Sequence, residues 1–372
     1  MTIHNAISIE QGYHRMYIFK LSTEELLSNY TISSYDSVKE TGYQRPPVEA
    51  HYKKIARYLA DTNSEQILPM SIIAAATQKD ISYQGNVLTI NGRLRIVDGQ
   101  HRIKAIEFLR DTKYVRYKDK YKELIRHYEF PVILLISKEI DSALEMDTFI
   151  NINSKGKRVS INLAKELREK KMQADLGKHE VELNKDSYEN LATQAVKLLA
   201  HDTDSMWYDR IQMGDQLGLQ KPVSIGTFAR SLIKFTAKVA NLVVVGNTVI
   251  SGKEATKTAE LTKAAVEKIW KTVQKRWPEC FDEPKQYNLL RGLGVSVVHR
   301  LFESCMRERG FSDPEEMLED AQQTFEEYLK KTEVETEEWI VGGTFTGFSS
   351  EQGYGIIVNI LRGERALSEL DD

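Results

Sequence analysis

Short apolar runs and helically spaced apolar residues alternate along the first part of the chain. The runs at 16–21, 68–75 and 130–136 are predominantly apolar, which is typical of buried strands. In the segment 52–59 the apolar residues instead recur every three or four positions, as on one face of a helix. This pattern predicts an α/β arrangement for the N-terminal part of the chain.

Two motifs mark where helices begin. Ser22 and Glu25 have the S-x-x-E spacing of a capping box, in which two side chains satisfy free N–H groups of the first helical turn. They predict a short helix over 23–28. Ser312 and Glu315 repeat the spacing at the start of a later helical segment.

A β-hairpin followed by a helix is predicted over 86–110. Two short apolar runs, 87–90 and 94–97, flank an Asn-Gly pair at 91–92. Asn-Gly is strongly favoured in the type I′ turns that join hairpin strands. Apolar residues at helical spacing then indicate a helix that starts near Gln100.

Helical spacing dominates beyond residue 170. The helical segments are 187–200, 224–241, 254–277, 288–308 and 313–331. A glycine-rich stretch at 342–353 could bind phosphate, but scattered glycines are more often turns. We predict two domains, an α/β domain over 1–170 and a mainly helical domain over 171–372.

Composition restricts the class of protein. The chain has 51 Lys and Arg against 54 Asp and Glu, so DNA contact would need a local basic patch. Two cysteines, Cys280 and Cys305, are too few for a disulfide framework, which favours a reducing compartment. We expect both cysteines and His299 to be buried in the core. No leader-like apolar core and no apolar run of about 18 residues is present, so we expect a cytoplasmic protein without membrane contact.

The stretch 113–128 provides a local patch, because lysine and arginine are interleaved there with tyrosine. Such a composition suits phosphate contacts and base stacking, although a solvated helix face would share it. The candidate residues for binding duplex DNA are Lys113, Arg116, Lys118 and Lys120, together with Arg158 from a second basic segment.

Asp98-Gly99-Gln100-His101-Arg102 lies where the predicted strand meets the predicted helix. Gly99 can adopt a turn conformation that other residues adopt only at a cost. Free N–H groups in a first helical turn attract anions, and Arg102 can bind a phosphate through its planar guanidinium. His101 could transfer a proton, and Asp98 could hold Mg²⁺ or orient an attacking water. We predict the active or nucleotide-binding site here, against the alternative that Asp98 caps the helix and the cations are solvated.

A second polar segment, 151–158, is predicted as a loop with a glycine between two lysines. Gly156 could bring the backbone close to a phosphate while Lys155 and Lys157 supply positive charge. The G-x-x-x-x-G-K spacing of a P-loop is absent, and a basic surface loop is the alternative.

These residues together resemble the DGQHR-domain family, whose signature is the pentapeptide at 98–102. Segments between 45 and 72 are similar to the lead-in of that family. The segment 149–160 is similar to its second motif, Phe-x-Asn-x-Asn-x-x-Gly-Lys. The resemblance covers residues 40–170.

The resemblance implies a fold and a set of site residues. It implies a ParB/sulfiredoxin-like α/β fold that binds nucleotide phosphates at the 98–102 turn, with ATP and Mg²⁺ as cofactors. It implies catalytic roles for Asp98, His101 and Arg102, with Asp98 also as the Mg²⁺ ligand. The implied nucleotide-binding residues are Arg95, Gly99, Gln100, His101, Arg102, Asn151, Asn153, Lys155, Gly156 and Lys157.

The resemblance also implies a setting, because DGQHR proteins accompany bacterial or phage DNA-modification systems. Similarity to the DpdB-like branch implies an NTPase that assists a partner enzyme, as in 7-deazaguanine insertion into DNA. Similarity to the DndB-like branch implies instead a DNA-binding regulator of phosphorothioation, and a scaffold for a modifying enzyme is a third possibility. Sulfiredoxin chemistry is not implied, since Gln100 stands where that enzyme needs a cysteine.

Overall fold

A computed structural model describes residues 1–60, 66–68, 70–154, 161–216, 221–306 and 310–370. Contacts between residues divide the chain into two compact units, Met1–Val159 and Ser160–Asp372. The first unit contains sheets and helices and the second is mostly helical, which confirms the predicted fold class.

The first unit contains nine strands and five helices in its described residues. They are β1 (Thr2–His4), β2 (Ile7–Gln11), β3 (His14–Ser22), α1 (Thr23–Ser28), β4 (Tyr30–Thr31), α2 (Glu49–Leu59), β5 (Ile72–Thr77), β6 (Ile81–Gln84), β7 (Val87–Ile90), β8 (Leu94–Asp98), α3 (Gln100–Asp111), α4 (Val115–His127), β9 (Glu129–Ser137) and α5 (Ala143–Ser154). The predicted strands at 16–21, 68–75 and 130–136 correspond to β3, β5 and β9.

A six-stranded mixed sheet organises this unit, in the order β2-β3-β9-β5-β8-β4. The central strands β5 and β9 are parallel, whereas β8 runs antiparallel to β5. Fully buried Ile72, Ile96 and Val132 from these strands pack with Ile103 and Ile106 of α3. β8 is next to the edge strand β4, but Leu94, Ile96 and Val97 of β8 are buried, so the turn that follows it lies beside well-packed structure.

The predicted hairpin is wrong in its pairing, although both of its strands exist. β7 pairs with β1 and β6 in a separate three-stranded sheet, and β8 pairs with β5 and β4. The tight turn with two left-handed residues is Gly85-Asn86, with φ of 56° and 63°, between β6 and β7. Asn91-Gly92 instead carries the chain from one sheet to the other. The helix predicted near Gln100 is confirmed as α3.

Helices α2, α3 and α4 share one apolar cluster in the first unit. Ala56 and Leu59 of α2 pack with Ala105 and Leu109 of α3 and with Leu124 of α4. The opposite side of α4 faces solvent, so its charged residues are displayed together. This arrangement places the 113–128 stretch on a helix surface.

The second unit is built from long helices around aromatic residues. Its elements are α6 (Ile161–Leu176), β10 (Val181–Glu182), α7 (Lys185–His201), β11 (Ile211–Gln212), β12 (Val223–Ser224), α8 (Ile225–Val243), β13 (Val249–Ile250), α9 (Gly252–Arg276), α10 (Glu279–Asp282), α11 (Gly292–Cys305), α12 (Pro314–Lys331) and α13 (Glu351–Leu361). Its core includes fully buried Trp207, Trp270, Trp277 and Trp339. The buried positions of Cys280, Cys305 and His299 confirm the prediction that they are core residues.

Local signals differ in how well they located helix ends. The capping box of Ser22 and Glu25 forms as predicted at the start of α1. At α12 the cap is Asp313 rather than Ser312, because proline occupies the first helical position and Asp313 accepts from the N–H of Glu315. Residues 151–154, predicted as a loop, continue α5. No helix in the described ranges is long and apolar enough to cross a membrane.

Candidate functional site

Gly99 sets the geometry of the turn between β8 and α3. Its φ of 105° lies in the left-handed region, and it is the N-cap residue of α3. A Cβ at this position would lie 2.5 Å from Cδ1 of fully buried Ile72. No side chain caps the first turn of α3, so the alternative in which Asp98 is the N-cap does not describe this turn.

Arg102 is bound to oxygen atoms on both sides of the turn. Its guanidinium donates to the carbonyl oxygens of Met70 and Ser71, the latter at 3.0 Å, and to Oδ2 of Asp98 at 3.0 Å. Arg102 is 9% exposed, and burial lowers the pKa of its guanidinium while Asp98 opposes that shift. In this conformation Arg102 joins the start of β5 to the end of β8. Its predicted contact with phosphate would require some of these donors to be released.

His101 connects α3 to the start of α2. Its Nε2 accepts a hydrogen bond of 3.1 Å from the N–H of Val48, the N-cap residue of α2. An accepting Nε2 carries no proton, so the neutral ring would hold its proton on Nδ1. The ring also packs against His51, with centroids 5.3 Å apart. His101 is half-buried, so a ligand at this turn could still reach it.

Gln100 contributes a buried acceptor with no partner. Its side chain is 7% exposed, and Oε1 makes no hydrogen bond within the described structure. An unsatisfied buried polar atom costs about 1–3 kcal/mol. The first turn of α3 therefore combines an uncapped end with an unused carbonyl oxygen, which suits a ligand that carries a donor group.

Arg95 lies behind the turn in a buried network that the sequence did not reveal. Its guanidinium forms a bidentate ion pair with Glu145 of α5, at 2.7 and 3.2 Å, and donates to Oγ of Ser137 at 3.0 Å. The hydroxyl of Tyr43 donates to the same carboxylate at 3.2 Å. Burial, reinforced by Glu145, raises the pKa of the Tyr43 hydroxyl far above its ordinary value. Arg95 is thus occupied within the chain.

The segment before α2 is fixed to the loop before α5 by Asp141. Its Oδ1 accepts from the hydroxyl of Ser33 at 2.7 Å, and its Oδ2 accepts from the N–H of Gly42 at 2.9 Å. The side chain of Gln44 donates to the carbonyl oxygen of Ile96 in β8. Residues 142–145 have the S-x-x-E spacing of a capping box, and the hydroxyl of Ser142 accepts from the N–H of Glu145 at 3.4 Å. The Glu145 carboxylate does not complete the box but turns inward to Arg95.

The remaining predicted site residues fall into three groups. Asn151 is exposed on α5, and Asn153 lies in the same helix. Lys113, just before α4, and Lys118, on α4, are exposed. Arg116 donates to the carbonyl oxygen of Ala60. Lys120 pairs with Glu123 at 2.8 Å. Lys155, Gly156, Lys157 and Arg158 lie outside the described residues.

The predicted Mg²⁺ ligand Asp98 has limited capacity for a metal. No group of three or more His, Cys, Asp or Glu side chains in the described residues could hold an ion. One carboxylate can bind Mg²⁺ when nucleotide phosphates and water supply the other ligands. At Asp98 the guanidinium of Arg102 already uses one oxygen, so the metal stays a prediction that depends on a bound nucleotide.

Comparison with known proteins gives one result. Residues 4–183 match a family model described as DndB: DNA-sulfur modification-associated. No curated protein and no solved structure matches the chain. The matched range contains the 98–102 turn, the Arg95–Glu145 network and α4, and it ends within the second unit. Over these residues, just under half of the chain, the sequence is similar to the DndB family, which is described as DNA-sulfur modification-associated.

Proposed function

We propose that this chain is a DNA-binding component of a DNA phosphorothioation system and contacts duplex DNA through α4. The observation that carries the proposal is the charge of the solvent-facing side of this helix. Segment 113–126 contains six basic and two acidic residues, although the whole chain has a net charge of −3. A local excess of this kind binds phosphates when the protein as a whole is not basic.

The basic residues of α4 differ in their availability. Lys118, Lys122 and Arg126 are exposed, on the side of α4 away from buried Leu124. Lys122 pairs with Asp119 at 2.9 Å, but both side chains are at least 60% exposed, so the pair is weak. A DNA phosphate can replace Asp119 at little cost.

Apolar exposure at the start of α4 is also compatible with nucleic acid. Tyr114 and Val115 are 70% and 71% exposed, and they stand between Lys113 and Arg116. An exposed aromatic ring among cations can stack on a base or lie against the sugar. The match to a sulfur-modification family favours phosphorothioation over the 7-deazaguanine setting.

The test compares a triple variant of α4 with a matched variant of α9. Lys118→Gln, Lys122→Gln and Arg126→Gln together remove three exposed positive charges from the proposed interface. Lys253→Gln, Lys257→Gln and Lys268→Gln remove the same charge from exposed positions in the second unit. Binding to a labelled duplex is measured by fluorescence anisotropy over a range of salt concentrations.

We expect the α4 variant to reduce the slope of log K against log salt by about two to three, since each lost phosphate contact contributes about 0.9. The α9 variant should keep the wild-type slope. An equal slope for the wild type and the α4 variant would overturn the proposal.

A second candidate function, nucleotide hydrolysis at the 98–102 turn, is favoured by the uncapped start of α3, whose N–H groups suit a phosphate, and by the unused Oε1 of Gln100, which can accept from a water or a nucleotide hydroxyl. Phosphate release from ATP and Mg²⁺, with and without duplex DNA, tests it directly. Asp98→Asn is the informative variant, because an amide oxygen can still accept from Arg102 and preserve the turn. Turnover that Asp98→Asn loses while keeping its fold supports hydrolysis, and turnover equal to the wild type removes Asp98 from the reaction.

A further inference from the structure

A polar cleft in the second unit lies outside the residues that match the DndB family. It has a volume of about 480 Å³ and lies between α8, α11 and α13. Its walls include three cations, Lys234, Arg300 and Arg362, and one acid, Glu303. Glu303 is neutralised by Lys238 at 2.7 Å, so the cleft keeps a positive character.

The three cations have unused capacity for an anion. Lys234 is exposed and forms no ion pair or hydrogen bond within the described residues. Arg300 uses Nη1 for the carbonyl oxygen of Glu351, at 2.8 Å, and for its carboxylate, at 3.3 Å, in an ion pair that is largely exposed and therefore weak. Its Nη2 makes no hydrogen bond to the described residues. Arg362 pairs with Glu364 at 2.7 Å, but its buried Nε has no partner in that same part of the chain.

Gly355 provides an independent indication that something approaches this wall. It lies inside α13, where glycine costs about 1 kcal/mol of helix stability relative to alanine. A Cβ at this position would meet only the guanidinium of Arg300, at an ordinary contact distance of 3.6 Å. Packing therefore does not require glycine here. Because Gly355 has no side chain, the helix backbone beside Arg300 is open to the cleft.

We propose that this cleft binds a phosphate group, with Lys234 and Arg300 as its principal cationic contacts. Neutral donors in the wall, from the side-chain amides of Gln352 and Asn359, suit the remaining phosphate oxygens. The phosphate could belong to a DNA backbone or to a free nucleotide, and the two sources share this chemistry. The inference does not depend on the DNA interface proposed for α4.

The test measures protection of Lys234 in the full-length protein. The protein is acetylated briefly at lysine in the presence of sodium tripolyphosphate, of a short DNA duplex, or of neither, and modification is quantified by mass spectrometry. Lys268, exposed on α9, is the internal control. We expect at least one probe to slow acetylation of Lys234 about fivefold and to leave Lys268 unchanged.

A variant gives a second measurement that does not depend on the labelling chemistry. Lys234→Gln removes a charge without breaking a contact inside the fold, and Lys268→Gln is its matched control. Weaker binding of Lys234→Gln to tripolyphosphate but not to DNA assigns the site to a free nucleotide, and the converse assigns it to DNA. Equal acetylation of Lys234 with and without both probes, together with wild-type affinities in Lys234→Gln, would overturn the proposal, whatever the result for α4.

Discussion

Gly99 and Arg102 together hold the loop between β8 and α3 in one conformation. Gly99 supplies the left-handed backbone, and Arg102 ties that backbone to the carbonyl oxygens that precede β5. A rigid turn of this kind keeps the start of α3 in place before any ligand arrives. A first helical turn that is already fixed would hold its N–H groups in place for an anion, and it would equally serve as a structural junction between β8 and α3.

Gly99→Ala should destabilise the protein more than Gly92→Ala. Both glycines have φ above 100°, so alanine is strained at either position, by about 1–2 kcal/mol. Only at residue 99 does the new Cβ also meet a buried side chain, that of Ile72, whereas position 92 is open. Urea unfolding of the two variants measures the difference, and equal free energies of unfolding would contradict this account of the turn.

The ion pair of Arg95 and Glu145 should be costly to break on one side. Both side chains are less than 10% exposed, so Arg95→Leu leaves a buried carboxylate without its partner and should lower the free energy of unfolding by about 3 kcal/mol. The double variant Arg95→Leu with Glu145→Leu removes both charges and should recover part of this loss. Unfolding by urea completes the double-mutant cycle. Arg15→Leu, which breaks an exposed pair with Glu10, is the control and should leave stability unchanged.

The sequence located the 98–102 turn but not its partners. The pentapeptide is contiguous, and a glycine between a strand and a helix is a local signal. The acceptors of Arg102 lie 31 and 32 positions away, and the donor to His101 lies 53 positions away. Nothing local in the sequence marks which distant carbonyl will meet a guanidinium, so the occupied state of Arg102 could not be predicted.

At the scale of elements, strands and helices were easier to locate than their pairing. The apolar run at 87–90 and the run at 94–97 both form strands, as predicted. The Asn-Gly pair between them favoured a hairpin, but β7 finds a better-matched partner in β6 through Gly85-Asn86. A turn preference is worth about 1 kcal/mol, and the strand partners that bury apolar residues outweigh it.

Two asparagines test this interpretation of the hairpin. Asn86 has a φ of 63°, and its Oδ1 accepts from the hydroxyl of Tyr83 at 3.0 Å. Asn86→Ala should therefore lower the free energy of unfolding by about 1 kcal/mol. Asn91→Ala, at an exposed position without left-handed backbone, should change it by less than about 0.5 kcal/mol. Thermal or urea unfolding measures both variants. A larger loss of stability for Asn91→Ala than for Asn86→Ala would contradict this interpretation and support the hairpin predicted from the sequence.

At the scale of the whole molecule, the two units have separate cores and different spectroscopic signals. All four tryptophans lie in the second unit, and Trp270 contacts a buried His299. Nε2 of His299 accepts from the indole N–H of Trp270 at 2.9 Å, and Nδ1 lies 2.8 Å from Oγ of Ser231. Tryptophan fluorescence therefore follows the second unit, while circular dichroism follows both.

The second unit should lose stability as the pH falls below about 6.5. Burial lowers the pKa of His299 from 6.5 to about 3, so between these values the unfolded state binds a proton that the folded state does not. Folding then becomes less favourable with falling pH, and the loss from this residue reaches about 2 kcal/mol at pH 5.

The measurement is urea unfolding followed by tryptophan fluorescence between pH 5 and pH 7, for the wild type and for His299→Asn. The variant is less stable at neutral pH but lacks this titration, so the difference between the two proteins should shrink as the pH falls. A difference that stays constant over this range would contradict the assigned cause.

The order of the six-stranded sheet has a consequence for behaviour in concentrated solution. One edge is β4, which is only two residues long, and the other is β2, most of whose residues are exposed. A short edge gives an incoming chain little to pair with, and β2 carries Glu10, which pairs with Arg15 on β3. Short and charged edges are the features that keep sheets from joining edge to edge into aggregates. Efforts to improve the yield of this protein should therefore leave Glu10 and Arg15 unchanged and place new substitutions elsewhere.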